Sequence, residues 1–380
     1  MSAGPLQGVR VLMLTTTLNP GGVVSSLKAL LSVLLDLGSS VKVAALESGG
    51  AFEEWLRERG LPVEVLGVKK WWYLPGTTQA VRELIRREAP TVVHAHCYEP
   101  DFHACRARAS VAIPWLFITH HDPRMRLHRV ATNCLTRNVP DRIVMVSQGL
   151  RDLYRKWCRY PEGSLFVLPN AVNLERFRPA PRDEALAAEL GLADARPIIG
   201  NVGGFGRPKG QPVLVQAFAQ VLRELPQARL VLVGEGKHRP RAEALAEKLG
   251  VADRVLFAGH RSDVPRLLSV FDVYVQPSWM EADPVAVKEA MATGKPVVST
   301  ATIGPRGFIE HGKTGLLVPV GDARGLAEAI VQVARDPHLA ERLGAEARRY
   351  AEVEFSHETY RRRVEELYRP VIENPQGRGR

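Results

Sequence analysis

An α/β protein built from two doubly wound, Rossmann-like domains is predicted by three observations. Short β-branched runs alternate with longer amphipathic stretches along nearly all 380 residues. The short runs are continuously apolar, which signals strands buried on both faces, as in a parallel sheet covered by helices. The scheme occurs twice, and each half is long enough for a core of its own.

In the first half, strands are expected at Val9–Leu14, Val41–Leu46, Val63–Val68, Thr91–His96, Trp115–His120, Arg142–Ser147 and Leu165–Asn170. Amphipathic stretches such as VVSSLKALLSVLLDLG and TTQAVRELIRREAP lie between them. The second half repeats the pattern at Pro197–Gly203, Ala228–Gly234, Arg254–Gly259, Val273–Pro277, Pro296–Thr300 and Gly315–Pro319. Between the halves, Pro179–Pro197 opens with prolines and charges and reads as a linker running into a surface helix. Domains are therefore expected at 1–178 and 179–354, with a final helix over 355–374 packing back on the first and NPQGRGR as a frayed tail. Doubly wound sheets bind ligands at the carboxyl ends of their strands, so the site is expected in a cleft where the two domains face each other.

Composition excludes several classes. The 45% apolar and 24% charged fractions are globular values, not those of a disordered or fibrous chain. The longest apolar stretch, from Leu27, carries Lys28 and Asp36 and is too short and too charged to cross a bilayer. Val9–Leu14 has no basic segment ahead of it and contains Arg10, so no secretory signal is expected. Cys97, Cys105, Cys134 and Cys158 form neither a CxxC pair nor a zinc spacing, which fits reduced thiols in a cytoplasmic protein.

Charge is unevenly placed. The chain carries 51 Lys plus Arg and 41 Asp plus Glu, a surplus of +10. Phe102–Tyr160 alone holds eleven cations and three acids, Asp122, Asp141 and Asp152, a local +8. Such a face attracts phosphates or an anionic membrane surface. No nucleic-acid-binding signature accompanies it, so nucleic acid is not expected as a partner. KKWWYLP, from Lys69, sets two cations beside three aromatics, a mixture suited to a membrane interface or, as ordinary packing, to a core or pocket.

Three segments carry chemistry. After the first strand, Gly21 and Gly22 precede a helix, where backbone can approach a phosphate and the helix start favours negative charge. The segment lacks G-x-G-x-x-G, which weakens a dehydrogenase reading. In the second half NVGGFGRPKGQP exposes backbone N–H groups beside Arg207 and Lys209, a fork and a point charge for an anionic group. It is no Walker loop, because no Ser or Thr follows Lys209-Gly210. The third segment, PSWMEADPVAVKEAMATGKPVVST, places Glu281 and Glu289 with seven residues between them. Asp283-Pro284 can start a helix, leaving the N–H groups around 283–286, including that of Val285, free for a ligand. Glu281 then lies in the loop ahead of the helix and Glu289 about a turn and a half into it.

That last segment resembles the Glu-x7-Glu signature of retaining glycosyltransferases of the GT-B fold, especially family 4. The resemblance extends over most of the chain through VVHAH, DRIVMVSQGLRD, VLPNAVNLERFRP, LVLVGEG, RVLFAGHRSDVPRLLSVFDVYVQPS, EAMATGKPVV and HGKTGLLVPVGDARGLAEAI, in that order. It implies that Glu289 binds the nucleotide ribose and Glu281 a hydroxyl of the donor sugar. Lys209 would neutralise the leaving diphosphate, with the Gly21-Gly22 backbone closing from the other domain. His120, ending WLFITH, matches a histidine aimed at the donor sugar, with His121 and Asp122 beside it. Gly259, His260 and Arg261 would hold the base, mostly through backbone.

Two departures stand out. The family usually has Gly-Arg-Leu where this chain has Gly203-Gly204-Phe205, and Arg207 is the cation placed to compensate. A family-typical GGxPE reads here Ile303-Gly304-Pro305-Arg306-Gly307, exchanging an acid for a nearby cation. The implied reaction moves a sugar from a nucleotide diphosphate, a UDP-sugar with GDP-mannose as the alternative, to a hydroxyl acceptor with retention. No DxD-like pair ends a strand, so a metal-independent enzyme without cofactor is expected. An epimerase and a non-catalytic sugar-nucleotide binder are the rival readings. The basic first half adds an expectation of an acidic or membrane-borne acceptor, with peripheral contact to an anionic membrane.

Overall fold

The computed structural model describes residues 4–19, 21–68 and 75–377. Thirteen strands are seen among them, each overlapping one expected from the sequence. The first seven are β1 (Arg10–Thr17), β2 (Ser40–Ser48), β3 (Val63–Val65), β4 (Val92–His96), β5 (Trp115–His120), β6 (Arg142–Met145) and β7 (Leu165–Val167). They form one parallel sheet in the order β3-β2-β1-β4-β5-β6-β7. The next six are β8 (Ile198–Val202), β9 (Arg229–Val233), β10 (Val255–Gly259), β11 (Val273–Gln276), β12 (Val297–Thr300) and β13 (Leu316–Val318). They form a second parallel sheet, β10-β9-β8-β11-β12-β13.

The continuous apolar runs are buried for the expected reason: helices cover both faces. In the second sheet, Phe218 and Val221 of the helix Gln211–Glu224 and Leu326 and Ile330 of Ala323–Arg335 pack in one core cluster with Leu230 and Val275. Tyr274, Val287, Met291 and Phe271 pack in a second cluster with Ile198 and Val297. In each sheet the strand order runs one way to the edge and then the other, from β1 to β4 and from β8 to β11. At these reversals the flanking loops leave towards opposite faces, opening a crevice at the strands' carboxyl ends.

Contacts divide the chain into one unit of residues 1–170 and 360–380 and another of 171–359. The expected boundary at 178/179 thus falls eight residues late, because Val172 and Phe177 are buried in the second core. The expected linker is also packed: Leu186 and Ala187, in the helix Glu184–Glu189, are fully buried. In the first unit, Tyr368 of the helix His357–Glu373 meets His94 of β4, its hydroxyl 2.8 Å from Nδ1. The expected frayed tail is ordered through Gly377: Trp115 donates its indole N–H to the Asn374 carbonyl at 2.8 Å. Among the described residues no helix is long and apolar enough to cross a membrane. Lys69–Leu74, with Trp71 and Trp72, lie outside the described residues.

Candidate functional site

The crevice of the second sheet is made by the loops after β8 and β11. The chain leaves β8 through Gly203-Gly204-Phe205-Gly206, makes a 3-10 turn over Arg207–Lys209, and enters the helix Gln211–Glu224 at Gly210. Gly210 has a φ of +70°, and a Cβ there would sit 2.1 Å from the Pro277 carbonyl oxygen. Only glycine lets the two loops approach this closely. The backbone N–H of Trp279 donates to the Pro208 carbonyl at 2.8 Å, fastening the loops together.

Across that junction Lys209 and Glu281 meet, Nζ to Oε1 at 2.7 Å. The same carboxylate oxygen accepts from the Ser278 hydroxyl at 2.9 Å, and Gln276 donates its amide to Ser278 Oγ at 2.7 Å. Tyr274 completes the chain, its hydroxyl donating to Gln276 Oε1 at 2.9 Å. The carboxylate is therefore held from beneath by a buried polar network while the ammonium lies on the exposed side. A fixed carboxylate with a movable cation suits a ligand carrying both hydroxyls and an anion.

Glu289 lies on the helix Val285–Ala292, which follows the same loop. Burial pushes its carboxyl up to about 7, with the Arg176 cation only partly opposing the shift. The Asp283 carboxylate turns inward onto Lys288 at 2.5 Å, and both side chains are buried. The Asp283 side chain is thus committed inward, and Pro284 caps the helix that Val285 opens rather than lying inside its first turn. Gly304 closes on the loop from the other side: its N–H donates to the Glu281 carbonyl at 3.0 Å.

The remaining expected residues are placed differently from one another. Arg207 is exposed and forms no ion pair among the described residues, and Gly204 beside it is exposed. Arg261 is committed to Asp263 by two bonds of 2.8 and 2.7 Å, so its guanidinium is occupied, while His260 is exposed. In the first unit, Gly21 and Gly22 open the helix Gly22–Asp36 with free space where side chains would be.

His120 has a setting other than the one expected. Its imidazole is 2% exposed, with Nε2 2.9 Å from the Tyr160 hydroxyl and Nδ1 3.3 Å from Asp101 Oδ2. Tyr154 stacks on the ring at 4.4 Å. Burial lowers the imidazole to about 3, leaving it neutral at pH 7, and pushes the Asp101 carboxyl well above its ordinary range. His121 is less buried; its Nε2 is 3.2 Å from His96 Nδ1, and burial lowers it to about 4.

Sequence reasoning missed Gln276 and Ser278 beneath Glu281, and Asp101, Tyr154 and Tyr160 around His120. Gln276 had a signal: a polar residue closing an otherwise apolar buried strand needs a partner. Among the described residues no group of three His, Cys, Asp or Glu side chains is arranged to hold a metal ion.

Comparison with known proteins bears on both units. Residues 20–176 match the family described as Glycosyltransferase Family 4, and residues 183–350 match Glycosyl transferases group 1. A lipopolysaccharide core biosynthesis glycosyltransferase of Rhizobium meliloti is 31% identical over 278 residues, 73% of this chain and 75% of that protein. A GDP-mannose-dependent alpha-(1-6)-phosphatidylinositol monomannoside mannosyltransferase of Mycobacterium tuberculosis is 27% identical over 95% of this chain and 98% of its own length. The structure of Anabaena HepE in complex with UDP and glucose superposes with a TM-score of 0.84 at 22% identity, covering 95% of this chain and all of that one.

Proposed function

This chain belongs to the group 1 and family 4 glycosyltransferases, with a two-domain α/β GT-B fold, and we propose that it transfers a sugar from a nucleotide diphosphate to a hydroxyl acceptor with retention of anomeric configuration. The observation that carries the reading is the Lys209–Glu281 pair at the reversal point of the second sheet, with Glu289 on the helix that follows. As donor binds, Glu281 would exchange its lysine partner for a sugar hydroxyl and Lys209 would move onto the diphosphate. Glu289 would take the ribose hydroxyls.

Catalysis then consists of stabilising charge that grows on the leaving diphosphate while the sugar becomes oxocarbenium-like. Lys209, Arg207 and the N–H groups of Val285 and its neighbours supply positive potential for the first of these, which supports metal independence. The anomeric carbon–oxygen bond to phosphate breaks, the bond to the acceptor oxygen forms on the same face, and the acceptor proton passes to the departing phosphate. His120, enclosed by Asp101, Tyr154 and Tyr160, is assigned a supporting role at the end of β5.

A UDP-sugar is the proposed donor, in keeping with the UDP complex of the fold relative; the mannosyltransferase relative keeps GDP-mannose as the alternative. The acceptor is proposed to be acidic or membrane-borne, a cell-envelope lipid or glycan. The relatives named for lipopolysaccharide core and phosphatidylinositol monomannoside support this, as does the cationic surplus of Phe102–Tyr160. Thermal shift with UDP, GDP and ADP tests the base, since ligand binding to the folded state raises the melting point. A transfer assay with the selected donor, run with and without chelator, tests the reaction. Nucleotide binding without transfer or donor hydrolysis would leave a binding module; isomerised donor without acceptor consumption would mark an epimerase.

A further inference from the structure

We propose that the outward face of the helices Leu127–Thr136 and Gln148–Cys158 docks on the surface of an anionic lipid bilayer. The proposal deepens the membrane-borne acceptor reading, on which it rests, by naming the surface that would make the contact. Leu127 and Leu135 are 86% and 85% exposed, the two most exposed large apolar side chains among the described residues. A single exposed leucine is ordinary. These two are eight apart with exposed Ala131 midway, so the four-residue spacing sets all three along one side of the helix. Trp157, 51% exposed, belongs to the adjoining helix, and its carbonyl accepts from Cys134 Sγ at 3.5 Å, which joins the two helices at that point.

Cations outnumber acids around these apolar groups, Asp152 being the one acid in either helix, where it accepts from Gln148 Nε2. Of the eleven Lys and Arg in Phe102–Tyr160, Arg108 is held by Asp141, Arg124 and Arg129 by Asp122, and Arg151 and Arg155 by Glu162. Arg126, Lys156 and Arg159 are exposed, and none of them forms an ion pair among the described residues. Arg137 spends one N–H on the Cys134 carbonyl at 3.0 Å and likewise keeps its charge unpaired. Of the remaining two, Arg106 is exposed over the Phe102 ring and Arg142 spends an N–H on the Gly163 carbonyl, while Arg126, Arg137, Lys156 and Arg159 lie within or next to the two helices of this face. Leucines and a tryptophan suit the boundary between headgroups and acyl chains, while arginine and lysine suit the headgroup charge. A nucleic acid would answer the cations but not the leucines, and a second copy of this chain would set like charges against each other.

The test is co-sedimentation of the full chain, without donor or acceptor, with vesicles of phosphatidylcholine alone or mixed with phosphatidylglycerol, at low and physiological salt. The parent should bind only the anionic vesicles, more strongly at low salt. Lys156→Glu with Arg159→Glu should weaken partitioning at least ~25-fold, about fivefold for each cation removed. Leu127→Ser with Leu135→Ser should abolish the binding that persists at physiological salt. Both variants should keep the parent's melting temperature and its turnover of donor with a soluble acceptor. If the parent binds and both variants bind equally well, this face is wrong while the membrane reading stands. If the parent binds no vesicle, the membrane reading falls and takes the face with it, while transferase activity is judged separately. A leucine variant that splits an oligomer in light scattering without changing vesicle binding would make the face a protein interface and overturn the proposal.

Discussion

The strand ends of the two sheets share a topology and differ in chemistry. After β8 and β11 the polar groups are charged and reach the surface, with Lys209 on Glu281 and a buried network beneath. After β4 and β5 the groups around His120 are enclosed, with Asp101 and Tyr160 in contact with the neutral imidazole and Tyr154 stacked across it, while Asp122 beside them is paired with Arg124 and Arg129. A ligand that arrives charged can be met by the first arrangement at once, whereas the enclosure of His120 offers it no ionised imidazole. The fold therefore places chemistry at strand ends without determining which kind, and side-chain burial decides.

The sharpest break in that comparison is Lys209→Ala. Removing a cation aimed at developing negative charge should lower kcat by roughly 10²–10³, with a smaller change in donor affinity because the charge matters most as the diphosphate leaves. Steady-state kinetics at saturating donor decide the matter; a loss confined to donor affinity would deny Lys209 its part in the transition state.

Glu289 sharpens the comparison because it is half-buried, with its carboxyl shifted by burial, yet assigned to the ligand. Its folded carboxyl stands near 7, above the ordinary value of 4.5, so between those pH values the folded state holds the extra proton. Stability from this group is thus present below about 4.5 and declines as pH rises towards 7. Glu289→Gln should remove that decline, and at pH 8 the variant should be more stable than the parent by roughly 3 kcal/mol, the shift converted at 1.36 kcal/mol per unit. Nucleotide affinity should move oppositely. It should rise in the parent from pH 6 to 8 as the carboxylate forms, and be weaker and pH-independent in Glu289→Gln. Denaturant melts and calorimetry at the two pH values read both effects.

The first unit should behave in the reverse sense. His120 is held neutral by burial, with a folded value near 3 against 6.5. Its contribution to stability is present above 6.5 and is lost as pH falls below that. His120→Gln should therefore lose less stability than the parent between pH 7 and 5, with His94 and His121 continuing to supply part of the slope. The His120 ring resonances should not titrate between pH 5 and 8, and turnover should fall far less than in Lys209→Ala. A comparable fall in turnover would return His120 to the reacting groups.

Thirteen strands and the positions of Lys209, Glu281 and Glu289 were legible in the sequence because each rests on a local pattern: a continuous apolar run, a glycine-rich turn, a fixed spacing between acids. The enclosure of His120 was not legible, since Asp101 and Tyr160 lie 19 and 40 residues away and meet it only through the order of β4, β5 and β6. The linker was misread for a related reason. Its prolines and charges are local, but the burial of Leu186 and Ala187 depends on Ile198 and Phe271, which the fold brings to them. The cationic surplus was countable, yet which cations remain unpaired depends on Asp122, Asp141 and Glu162 reaching particular arginines.

The smallest expected effect concerns Arg207, two residues from Lys209 in the same turn. The two cations differ in what surrounds them: Lys209 is tied to Glu281, whereas Arg207 is exposed and forms no ion pair among the described residues. A cation in water acts through a high dielectric and contributes less than one beside a buried carboxylate. Arg207→Ala should therefore cost turnover only about tenfold, near 1.4 kcal/mol. Gly204 offers the means to test whether that loss comes from position. Its backbone is not in the left-handed region, and a Cβ there would meet only the Glu235 carbonyl, at 3.4 Å, so a longer side chain can be accommodated. Gly204→Arg in the Arg207→Ala background should restore part of the lost turnover, because it returns a guanidinium to the strand end at β8. Restoration should weaken with added salt, as expected for an exposed charge. If Arg207→Ala alone retains full turnover, Lys209 and the backbone N–H groups carry the diphosphate by themselves, and the exposed arginine belongs to the surface rather than to the donor.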